Sequence, residues 1–154
     1  MNRLFTAAVV YLVLGLGSGL FYREFTKAND FVEGGATQLS VVHTHLLTLG
    51  FLAMLIVLAL ERVFALSASP LFGWFFWVYN AGVLLTSAMM VWHGSLTVLG
   101  EESNAAIAGI AGLGHIVVTA GLVLLMMALR KGIVAAKAAP VGGAPADASA
   151  AETV

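Results

Sequence analysis

The side chains best equipped for chemistry in this chain are its four histidines, His43, His45, His93 and His115. Two of them stand one residue apart in the stretch 38–50, QLSVVHTHLLTLG, at the opening of a long apolar segment. An ionisable side chain inside hydrocarbon is costly and marks a functional site by default. On an α-helix, residues two apart point about 200° away from each other. His43 and His45 therefore cannot grip one metal ion, and each needs a partner on its own side of the helix. A neutral imidazole ligates heme iron, copper or zinc. Heme suits a lipid-embedded site, because its macrocycle is apolar and its propionates seek polar partners at an edge. Arg23 carries the donor fork that matches such carboxylates. With Tyr22 beside it, it is a candidate propionate clamp, the other reading being an interfacial anchor.

Positioning these side chains falls to four apolar segments, Leu4–Phe21, Leu39–Leu60, Leu71–Leu99 and Ala105–Leu129. A helical span needs about 20 residues. The 154 residues are 60% hydrophobic and 10% charged, with mean hydropathy +0.99, whereas soluble domains are about 25% charged. The expected fold is an all-α, four-transmembrane-helix bundle over residues 1–134. An Ala/Gly/Pro-rich tail, 135–154, is expected to be disordered. With no cysteine there is no disulfide and no thiolate chemistry. A net charge of −1 with no basic patch excludes nucleic acid as a partner.

Arg3, Arg62, Arg130, Lys131 and Lys137 fall on one side of the membrane, and Arg23 and Lys27 on the other. The imbalance predicts cytoplasmic N and C termini in a bacterial inner, or cell, membrane. At 1.5 Å per residue, His43 and His45 then lie roughly 6–9 Å below the outer end of the second helix. His93 lies roughly 9 Å down the third helix and His115 roughly 15 Å down the fourth. All four sit in the outer half. No Asp, Glu, Lys or Arg lies in a predicted membrane core, so a pump-type proton relay has no carboxylate. Gly15-x-x-x-Gly19 predicts close helix packing. Gly109, Gly112 and Gly114 serve either packing or the approach of a flat ligand to His115. Asn80 reads as an interhelical hydrogen bond.

The stretch VVHTHLLTLGF resembles the His-x-His of the tenth helix in subunit I of heme–copper oxidases and nitric oxide reductases. There one His of the pair ligates the active-site heme and the other the low-spin heme. The resemblance implies one arc of a three-arc assembly, and hence a homotrimer. Nothing matches that family's copper-ligating stretch or its proton channel. Over LGLGSGLFYREFTK and VVHTHLLTLG the chain resembles a bacterial family of small four-helix membrane proteins of unknown function. The expected function is a membrane heme b protein for electron transfer or small-gas (O2 or NO) binding near the outer face. Its partner would be a quinone or a redox protein. Two alternatives stand beside it: a copper- or zinc-binding transporter or sensor built on His93 and His115, and a non-catalytic assembly subunit.

Overall fold

The computed structural model describes residues 1–102 and 105–138. The chain forms four long helices: α1 (Asn2–Ala28), α2 (Leu39–Phe64), α3 (Pro70–Leu99) and α4 (Ala105–Ala138). All four are long and apolar enough to cross a membrane. The described residues contain no strand. α1 and α4 run beyond the apolar segments read from the sequence, carried by good helix formers such as Arg, Glu, Lys and Ala. Residues 139–154, most of the tail, lie outside the described residues.

α2 ends where Ala65 turns left-handed (φ 48°). The buried Glu61 carboxylate closes that turn by accepting both the backbone N–H of Ser67, at 2.8 Å, and its hydroxyl. Pro70 then starts α3 at the position where a missing N–H costs nothing. Gly100 ends α3 in the left-handed conformation (φ 73°) that glycine adopts freely.

α2 packs against α1 on one side and α3 on another, and α3 pairs with α4 along its length. Glycine makes these approaches possible. A Cβ at Gly82 would lie 2.6 Å from the Val118 nitrogen, and one at Gly121 2.8 Å from Tyr79 Cα. One at Gly114 would collide with the Thr86 hydroxyl. Gly15 meets Leu47 and Gly19 meets His43, so the Gly15-x-x-x-Gly19 pair packs on α2 as the sequence predicts. The core lies where α1, α2 and α3 meet, around Leu4, Tyr11, Val42, Met54, Phe75, Tyr79 and Val83.

Directly after His45, α2 departs from the regular helix that its apolar run predicts. It widens into π-type turns over Leu46–Leu52. Such segments insert extra backbone into a helix and cluster at functional sites. The ring of Tyr11 lies against Gly50, in space that a Cβ would fill. Its hydroxyl donates to Asn80 Oδ1 at 2.8 Å. The Tyr79 hydroxyl donates to the Leu49 carbonyl, also at 2.8 Å. The widened turns are thus held by a phenol ring from α1 and a phenol hydroxyl from α3.

Candidate functional site

Helix contacts set the depth of each histidine. His43 stands beside Gly19 of α1. Thr37, just before α2, donates its hydroxyl to the Gly94 carbonyl at 2.9 Å, and Leu39 abuts Gly94. His93 therefore sits level with the first turn of α2. α3 and α4 run antiparallel with residue numbers that pair to a constant sum: Gly82 with Val118, Thr86 with Gly114, Tyr79 with Gly121. His115 is thereby level with Leu85. Counting along α3 from Gly94 and from Tyr79, which meet Leu39 and Leu49, puts that level between His43 and Thr48. His43, His45 and His115 share one layer of the bundle, and His93 lies about a turn nearer the end. All four occupy the same half.

The four rings differ in what holds them. His45 Nδ1 lies 3.2 Å from the Val41 carbonyl and His115 Nδ1 lies 2.9 Å from the Ala111 carbonyl, one turn back in each case. A carbonyl takes only a donor, so Nδ1 carries a hydrogen in both rings, and in the neutral imidazole the Nε2 lone pair is the one left for a ligand. That arrangement is the usual one for a metal-ligating imidazole. His43 approaches the Thr44 hydroxyl through Nε2, at 3.3 Å, and its Nδ1 is buried without a partner among the described residues. His93 Nδ1 is likewise buried and unpartnered among them.

Position round the helices sorts them further. His43 is turned to α1 and His45, about 200° round, away from it. α4 meets α2 through the half Ala53–Phe64, where Ala128 is fully buried and a Cβ at Gly132 would lie 2.7 Å from the Phe64 carbonyl oxygen. Ile110 stands on the same face of α4 as Ala128, five turns earlier, yet it is 42% exposed. α2 and α4 therefore part toward the histidine end, the half of α2 that carries His45. His115 is exposed on the outer side of α4, and Gly109 and Gly112 face open space while Gly114 is taken up against α3.

Among the described residues no three of His, Asp or Glu gather closely enough to hold a metal ion. His93 and His115, the pair considered for copper or zinc, are about eight residues apart in depth, or roughly 12 Å. Arg23 is exposed and lies 3.6 Å from Glu24. With Tyr22 it stands near the end of α1, across α2 from the side His45 faces. Asn80 is the interhelical hydrogen bond expected of it, and the partner is Tyr11. Sequence reasoning missed Tyr11. The available signal was a tyrosine mid-way along an apolar span, whose hydroxyl must find a partner there.

The family profile described as "Protein of unknown function (DUF2871)" matches residues 1–132. The chain belongs to this family. Its match takes in all four histidines of this DUF2871 chain. No curated protein and no solved structure matches it. The oxidase likeness rests on the VVHTHLLTLGF stretch alone.

Proposed function

We propose that this DUF2871 chain is a membrane heme b-binding protein. Its histidine end faces outward, and it serves electron transfer or the binding of a small gas such as O2 or NO. The observation that carries the reading is the state of His45. Its Nδ1–H is tied to the Val41 carbonyl, its Nε2 meets no partner among the described residues, and it lies on the flank of α2 turned away from α1, in the half where α2 and α4 part. The exposed Ile110 and Leu113 offer that opening apolar walls. His45 would thus hold the heme iron from this chain, and His43, His93 and His115 are the candidates for further ligands. Bound there, heme would supply a one-electron couple or an iron for a diatomic ligand. The chain's own contribution is to fix the imidazole tautomer, to orient the ring and to keep bulk water out of an apolar surround. An electron would come from a membrane-borne quinone or a redox protein.

The excess of Lys and Arg at the opposite end supports a topology with both termini in the cytoplasm, in a bacterial cell membrane. The test is the visible spectrum of protein purified after expression with heme supplied. A Soret band is expected, lost or shifted in His45→Ala and kept in Asn80→Ala. Wild-type protein without a Soret band would end the proposal.

A further inference from the structure

His115 is exposed on α4, about three turns into the helix and level with the layer of His43 and His45. Its Nε2 accepts nothing from the described residues, and hydrocarbon offers it no donor. The cost of an unsatisfied polar group in lipid runs to several kcal/mol. The chain holds a matching donor at the same depth. Thr48 on α2 is exposed, and its hydroxyl has no hydrogen-bond partner among the described residues. It lies within the widened turns of α2, whereas other helical threonines here, Thr97 and Thr119, donate to the carbonyl four residues back. His115 and Thr48 lie on different helices, both on outward surfaces. In the turn above them the small Gly112, with open space at its Cβ position, is level with the exposed Thr44.

We infer that a second copy of this chain covers these groups. The outer face of α4 of one copy, Gly109–Gly112–His115, docks on the outer face of α2, Thr44–Thr48, of the next. Thr48 O–H donates to His115 Nε2 across the joint. Two different faces meet, so the contact is head-to-tail. Copies inserted in one orientation are related by rotation about the bilayer normal, and such a contact repeats around a closed ring. Gly112 lets the two backbones approach closely, as small residues do between membrane helices. The inference does not rest on heme binding, and it withdraws His115 from the candidate heme ligands, because its Nε2 lone pair is taken by Thr48.

The chain has no cysteine, so engineered pairs report without background. The experiment joins Thr44→Cys and Gly112→Cys in one chain and oxidises native membranes made without added heme. A ladder of cross-linked species ending at one closed size is expected. Each single variant should stay uncross-linked, and the two singles expressed together should give dimer only. Absence of cross-linking in the double variant would overturn the inference, as would equal cross-linking of either single variant. Gly112→Leu, measured by light scattering in mild detergent, should reduce the oligomer to monomer while keeping the helical signal. An unchanged oligomer would also count against it.

Discussion

At the scale of single residues, tautomer and surroundings matter more than residue type. Four histidines look alike in sequence, yet two tie Nδ1–H to a carbonyl one turn back and two leave Nδ1 buried without a partner among the described residues. The first pair keeps a ligand's lone pair free, and the second carries the larger desolvation cost. Tyr11 and Asn80 form a part-buried side-chain bond between α1 and α3. A double-mutant cycle with Tyr11→Phe and Asn80→Ala should give a coupling of about 0.6 and at most about 1.7 kcal/mol, read from unfolding in detergent. Zero coupling would mean that the hydroxyl finds another partner. Their depth in the bundle follows from spacing, and their pairing does not, because Tyr11 crosses the surface of α2 at Gly50 to reach Asn80.

Among elements, glycine decides which helices approach. Gly82 and Gly121 lie where the α3 and α4 backbones meet, whereas Gly109 and Gly112 face open space. Gly82→Ala should therefore lower stability by about 1–3 kcal/mol, the range for overpacking. Gly112→Ala should leave the unfolding of the isolated chain nearly unchanged, or raise it through better helix propensity. Thermal unfolding of both variants, dispersed to monomers, checks the contrast, and equal losses would contradict the close packing of α3 on α4 at Gly82. Gly50→Ala should push the Tyr11 ring off the widened turns of α2, with a loss of the same order. From the sequence, Gly15-x-x-x-Gly19 was legible as a packing motif because its spacing is diagnostic. The glycines of α4 were ambiguous, since spacing along one helix does not say which face its neighbour covers.

For the whole molecule, the uneven distribution of Lys and Arg carries a prediction about topology. In intact cells an impermeant maleimide should label Glu102→Cys and spare Lys137→Cys. The reverse pattern would invert the assignment and move the histidine layer to the cytoplasmic half. An all-α chain of four apolar spans, with every histidine toward one end, was already legible in composition and segment length. Those properties follow from the transfer of apolar surface and from a helical rise of 1.5 Å, and neither depends on neighbours. The widened turns after His45, the sorting of the four rings, the contact of Tyr11 with Asn80 and the parting of α2 from α4 depend on side chains distant in the chain. They arise only when the helices meet, because each is set by steric fit and hydrogen-bond satisfaction between surfaces that no single segment contains.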